Sequence, residues 1–362
     1  MIEKHIQHIG ISFFGLLGLF WLFGCGTAAR ESDPYRFPGE IHLKNIRMLT
    51  HGGENAEAYF SFSEKQLIYQ ATTGQLHCDQ IFVMNLDGSG KRMVSTGRGR
   101  TTCSYFLPGD SLFIYSSTHL ADSTCPPPPD RSHGYVWQLY STYDIFLARV
   151  SDGKILSRLT TTPGYDAEAT VSPTGDKIVF TSTRDGDPEI YTMNLDGSEQ
   201  RRLTFARGYD GGPFFSWDGQ KIVFRASRPT TPEELKDYQE LVQHDLYRPT
   251  TLEIYVMDAD GKNIRQVTHF GKASFAPFFH PDNRRIIFAS NVNSADPRNF
   301  DLYMINEDGT GLEQITFNET FDGFPMFTRD GKHLVFASNR FNEKPGETNI
   351  FLADWVDAPS SE

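Results

Sequence analysis

One hairpin, written six times, constrains this chain more than any other feature. The segment EIYTMNLDGSEQRRLT (189–204) reads as strand, tight turn and strand. Its first half recurs as QIFVM (80–84), DIFLA (144–148), EIYVM (253–257), DLYMI (301–305) and NIFLA (349–353). Each copy opens on a polar residue and carries an aromatic third residue. A second strand precedes each copy, as in QLIY (66–69), LFIY (112–115), KIVF (177–180 and 221–224), RIIF (285–288) and HLVF (333–336). A third precedes that, within EATVSPTGD, GPFFSWDGQ, APFFHPDNR and FPMFTRDGK. Asp-Gly follows the repeated strand at 87–88, 152–153, 196–197, 260–261 and 308–309. Between two apolar-periodic runs this dipeptide predicts a type I′ hairpin, with both turn residues at φ > 0. A fourth strand then runs to LSRLT, RRLT, IRQVT or LEQIT. Four antiparallel strands recurring roughly every 45 to 64 residues describe the blades of a β-propeller.

The sixth copy shows how the ring closes. After NIFLADWV there is no Asp-Gly and no fourth strand, whereas IRMLT (46–50) precedes the first blade and has the fourth-strand signature. The expected fold is therefore all-β: a six-bladed propeller of four-stranded antiparallel blades, closed by an N-terminal strand that completes the last blade and leaves no open edge. The 29 Phe, 15 Tyr, 31 Gly and 20 Pro suit many short strands joined by tight turns. A formal net charge of −12, with no basic run, removes the electrostatic basis for nucleic-acid binding.

Residues 1–24 read as an export signal. Lys4 is followed by the apolar run IGISFFGLLGLFWLFG, which suits a signal-peptide core better than a bilayer span. Leu22-Phe23-Gly24-Cys25 resembles a bacterial lipoprotein cleavage box, which makes Cys25 the expected lipidation site; the alternative is an uncleaved N-terminal anchor. Residues 25–40 are expected to be a polar, flexible tether and 41–362 the propeller. Both readings place the protein outside the cytoplasm, on the periplasmic or cell-surface face of a bacterial membrane, the outer membrane being the expected one.

SPTGDKIVFTSTRDGDPEIYTMNLDGSEQRRLT resembles the TolB-type propeller repeat, and the likeness extends over about residues 41 to 357. TolB itself carries a further N-terminal α/β domain. The resemblance thus implies a TolB-like propeller in a lipoprotein form lacking that domain. Related repeats occur in the propellers of dipeptidyl-peptidase-like enzymes, so the repeat specifies a fold and not an activity.

The sequence contains neither a G-x-S-x-G elbow nor an H-E-x-x-H motif, so no residue is assigned a catalytic role and no metal or cofactor is expected. Aligning the blades pairs Asp166 with Arg184, Asp210 with Arg228 and Asp322 with Arg340, across adjacent strands of three blades. They form either an ion pair within each blade or a ring of charge at the channel mouth that binds a charged ligand. Two blades carry long insertions on one face, at 118–143 and 228–251. In the second, Thr231-Pro232-Glu233-Glu234 is a capping box with proline at the first helical position, and Leu235, Tyr238, Leu241 and Val242 form one apolar face. The candidate ligand-binding residues of these loops are His119, His133, Tyr135, Trp137, Tyr140, Tyr238 and His244. His77, His119, His133 and His244 are the histidines that could meet at a metal, and Trp137 with its tyrosines could either stack on a sugar or anchor the loop. In an oxidising compartment Cys125 is expected to form a disulfide, with Cys103 the favoured partner and Cys78 the alternative.

Two functions follow from this reading. One is a membrane-tethered, non-enzymatic module that binds an envelope protein or a small ligand at the insertion face. The other is a glycan- or small-molecule-active lyase or hydrolase at the insertion-covered mouth. The anchor is tested by Cys25→Ser, expected to move the protein from the membrane to the soluble fraction or to leave it unprocessed. A membrane-bound variant of mature size would contradict lipidation.

Overall fold

The computed structural model describes residues 33–357. Six four-stranded antiparallel sheets form the blades, and each first strand lies innermost. Blade three is representative, with strands Asp166–Val171, Lys177–Ser182, Glu189–Asn194 and Arg201–Arg202. Blade six is built from Asp322–Phe327, His333–Ser338 and Asn349–Trp355, with Leu43–Met48 as its outer strand, in register from Leu43 opposite Trp355 to Met48 opposite Phe351. The N-terminal strand thus closes the ring. No helix among the described residues is long and apolar enough to cross a membrane.

The polar residue that opens each third strand is buried at a seam. A hydroxyl just beyond the fourth strand (Thr50, Ser95, Thr160, Thr204, Thr268 or Thr316) accepts a bond of 2.8–2.9 Å from the second amide of the third strand in all six blades. In four blades the same hydroxyl donates to the opening residue: Thr50 to Asn349, Ser95 to Gln80, Thr268 to Glu253 and Thr316 to Asp301. Thr50 takes its place in this set from the N-terminal strand, so the closing strand is chemically a fourth strand as well as geometrically one.

The Asp-Gly turns differ from the type I′ expectation. Only the glycines have positive φ, 69–86°. Gly88 donates to Asn85 O, and Asn85 donates to Ser89 O, which is a type I turn followed by a glycine bulge. Glycine is required twice over. A Cβ at Gly88, Gly153, Gly197, Gly261 or Gly309 would lie 2.5–3.0 Å from a backbone carbonyl oxygen of the preceding blade.

Residues 33–40, expected to belong to a flexible tether, are docked on blade six. Asp33 Oδ2 accepts from Ile46 N at 2.8 Å, and Phe37 stacks on Phe341 with ring centroids 5.3 Å apart. Glu40 is fully buried and meets Arg340 Nη2 at 2.9 Å, while Arg340 also meets Asp322 at 2.8 Å. The acidic Glu40 was not distinguishable by composition from its polar neighbours. What fixes it is a guanidinium about 300 residues away in sequence. Arg340→Met would leave two buried carboxylates facing each other and is expected to lower the unfolding free energy by about 3–5 kcal/mol in urea titrations. Adding Glu40→Gln should recover part of that. A loss below about 1 kcal/mol would mean that the triad is not a structural anchor.

Candidate functional site

All three Asp–Arg pairs form within their own blades. Arg184 reaches Asp166 at 2.9 Å, Arg228 reaches Asp210 at 2.6 Å and Arg340 reaches Asp322 at 2.8 Å, and each aspartate side chain is fully buried. Burial raises Asp166, and it pushes Asp210 up to about 8. These carboxylates are consumed by structure. The alternative of an open charged ring at the mouth is not what the structure contains.

The two insertions, read separately in the sequence, meet. Trp137–Gln138 pairs with Leu246–Tyr247 as a two-stranded ribbon. The helix Pro232–Val242 packs Tyr238 and Leu241 inward, with Thr231 and Glu234 closing the capping box as expected. Tyr238 OH donates to Asp187 of blade three, so this lid spans blades two to four. Most of the candidate aromatics are anchors. Tyr140 OH donates to Pro127 O at 2.7 Å, and Trp137 lies 6.1 Å from the Tyr247 ring; among the candidate tyrosines and Trp137, Tyr135 alone stands in solvent, 65 % exposed. His133 and His244 come within 6.3 Å of each other, but His119 packs at 4.4 Å on Phe146 and His77 is exposed in blade one. The four histidines therefore do not converge on one point, and no group of three metal-ligating side chains occurs among the described residues.

Cys125 pairs with Cys78 and not with Cys103. The first turn of the blade-two insertion runs along the linker from blade one, where Thr118 N donates to Arg100 O and Gly99 N to Ser123 O, both at 3.0 Å. That path carries Cys125 to the rim beside Cys78, while Cys103 points into the channel. The disulfide joins blade one to the lid of blade two across 47 residues. The chain-entropy model gives such a loop about 4 kcal/mol.

Cys103 belongs to a feature that the sequence reading missed. One residue of every innermost strand, the third in five blades and the fourth in blade one (Glu54–Phe60), is left-handed: Glu57, Cys103, Glu168, Gly212, Ala276 and Phe324 have φ of 48–60° at a bulge repeated in each blade. These residues ring the axis. Glu57, Cys103, Glu168 and Phe324 remain partly accessible although blades flank them on both sides, so they line an axial chamber. At the far end Tyr59, Tyr105, Phe214 and Phe278 plug the channel, with centroid separations of 5.3–6.3 Å.

The chamber is polar on one side. Glu168 accepts from Arg225, from Gly212 N at 2.8 Å and from Thr181 at 2.7 Å. Arg225, 8 % exposed, enters from the second strand of blade four because Gly212 has no side chain; a Cβ there would collide with its Nη1. Its guanidinium lies 5.2 Å from the Trp137 ring of the lid and 5.4 Å from that of Tyr209. Two sequence signals could have found it: the second charge in KIVFRAS, where blade three has KIVFTST, and the Gly-Gly at 211–212. The other side is aromatic, with Phe275, Phe300 and Phe321 packed around Phe324.

Burial pushes Glu57 up to about 7, and the Glu168 charge adds to that against a hydrogen bond from Cys103. Burial, together with Glu57 and Glu168, holds Cys103 as the thiol.

These features define a closed six-bladed propeller with a blind axial chamber beneath a lid of inserted segments. Its repeats are of the TolB type: the profile of the TolB beta propeller domain matches residues 135–240. The Tol-Pal system protein TolB of Bordetella pertussis is 42 % identical over 55 residues, 15 % of this chain and 13 % of that protein, so the match spans only a small part of the relative's length. Among solved structures, putative TolB from Agrobacterium tumefaciens superposes with a TM-score of 0.58 at 18 % identity, covering 86 % of this chain and 94 % of that one. TolB from Acinetobacter baumannii gives 0.55 at 16 % identity, over 83 % and 63 %. Oligogalacturonate lyase from Vibrio parahaemolyticus gives 0.50 at 12 % identity, over 87 % and 94 %. The chain is thus similar to TolB in its repeats over residues 135–240, and the structural likenesses extend to the fold alone.

The Glu57 shift carries a sign. A carboxyl raised in the folded state contributes stability that is fully present below its unfolded value near 4.5 and is lost as pH rises through about 7. Glu57→Gln stays neutral throughout. Relative to the parent it should gain stability between pH 5 and pH 8, approaching about 2–3 kcal/mol at pH 8 in urea titrations. A difference that does not change with pH would mean that Glu57 is ordinarily solvated.

Proposed function

We infer that this chain is an exported, lipid-anchored propeller that acts as a binding module, docking an envelope protein or a small ligand on its insertion face. One observation carries the reading. Large apolar side chains stand in solvent on that face: Leu120, Tyr135, Phe205, Phe317 and Phe341 are 40–70 % exposed. They share that face with a lid braced by the disulfide and by buried aromatic anchors, Phe341 beside the docked Phe37, and a preorganised surface of this kind carries interface hot spots. The Bordetella relative is by name a Tol-Pal system protein, which supports a role within a set of interacting proteins. The Cys78–Cys125 bridge fits an oxidising compartment, and Cys25, outside the described residues, would supply the anchor. A lyase or hydrolase at the same mouth has support only from a likeness of fold.

The test is photo-crosslinking in cells that export the protein, with a photoreactive residue at Tyr135 or Phe205 and, as control, at Lys262 on the opposite face. Discrete adducts are expected from Tyr135 and Phe205 and should disappear when Phe317 and Phe341 are both changed to Asp. Absence of adducts, or the same adducts from Lys262, would contradict a partner on the insertion face.

A further inference from the structure

Glu57 and Glu168 occupy the same place in blades one and three, yet their surroundings differ. Glu168 is saturated by Arg225, Thr181, Gly212 N and Tyr209. The blade that follows Glu57 offers Ser116 where blade four offers Arg225, and Ser116 Oγ is itself buried without a hydrogen-bond partner. Glu57 Oε2 is likewise enclosed and unpartnered, although the Cys103 thiol stands close enough to bond the same carboxyl group. Nor is Arg225 fully satisfied: it is more than nine-tenths buried at the chamber wall, and its Nε has no partner. Buried polar atoms are nearly always paired in native proteins. Three unpaired ones around a chamber lined by partly accessible residues point to a guest that supplies the missing partners.

The chemistry of that guest follows from the walls. Glu57 accepts and, when ionised, requires positive charge. The neighbouring ring position in blade six is Phe324, backed by Phe275 at 5.6 Å and Phe321 at 6.2 Å. A carboxylate beside aromatic faces suits a weakly hydrated organic cation, whose charge is met by both and whose hydrocarbon part lies on the rings. A hard divalent ion would need several carboxylates and carbonyls, and Glu168 is already committed to Arg225. We propose that the axial chamber binds a small organic ammonium ion, with its N–H groups on Glu57 and its apolar part on the Phe324 wall. This site is distinct from the apolar rim inferred above to dock a partner, and its test requires only purified protein.

The probe is phenethylamine, with 2-phenylethanol as its neutral counterpart and calcium chloride as the inorganic arm, each titrated by calorimetry at pH 8. Saturable binding of phenethylamine is expected, at least tenfold tighter than 2-phenylethanol and absent for calcium. Glu57→Gln, nearly isosteric and free of the unpaired charge, should weaken it at least tenfold. Because a variant can fail through folding, a second readout uses the parent protein: phenethylamine should slow conversion of Cys103 to its methyl disulfide by methyl methanethiosulfonate, which releases methanesulfinate, whereas 2-phenylethanol at the same concentration should not. Equal binding of amine and alcohol, unchanged affinity in folded Glu57→Gln, calcium binding in place of the amine, or no protection of Cys103 would each overturn the proposal.

Discussion

The structure depends on how six buried seams are satisfied. Each third strand begins with a carboxylate or amide taken out of water, a placement that costs several kcal/mol if left unpaired. A hydroxyl beyond the fourth strand holds the neighbouring amide in all six blades, and where the next blade begins with Asp, an arginine two residues past its second strand covers that acid. Blades lacking the pair use smaller groups, such as Thr101 donating to Asp79 O and Ser274 facing Ser290. The seam explains the repeat: the polar opening residue, the terminal threonine and the Asp–Arg covariation are parts of one hydrogen-bonded joint.

Closure obeys the same chemistry. A ring made of hairpins ends with one exposed edge, and the N-terminal strand covers it while bringing Thr50 to the sixth seam. The buried triad of Glu40, Arg340 and Asp322 then secures the segment that leads into the strand. Residues at the two ends of the propeller are thereby joined by backbone pairing and by a charge cluster that cannot be broken at one member without stranding another.

Blade number, closure and strand order were legible because each rests on period-2 patterning and turn chemistry repeated six times. The Asp–Arg pairing was legible because covariation inside one chain reports proximity. The turn type was misread: Asp-Gly suits two kinds of hairpin, and the close approach of the preceding blade's carbonyl, which the sequence does not display, requires glycine with φ > 0 only at the second residue. Cys103 was assigned to the wrong partner because alignment placed it at the mouth but gave no side-chain direction; the left-handed bulge turns it to the axis. The chamber was invisible for the same reason. Glu57, Glu168 and Arg225 lie about 50 to 170 residues apart, and only the bulge and the missing side chain of Gly212 bring them together.

Hydrogen–deuterium exchange tests the closed, seam-bonded ring most directly. If Leu43–Met48 is the outer strand of blade six, its amides should be protected on the same timescale as those of Asn349–Trp355, and both should lose protection together when Thr50→Val removes the seam hydroxyl. Rapid exchange of Leu43–Met48 while Asn349–Trp355 stays protected would show a ring that closes without the N-terminal strand, and would contradict the account.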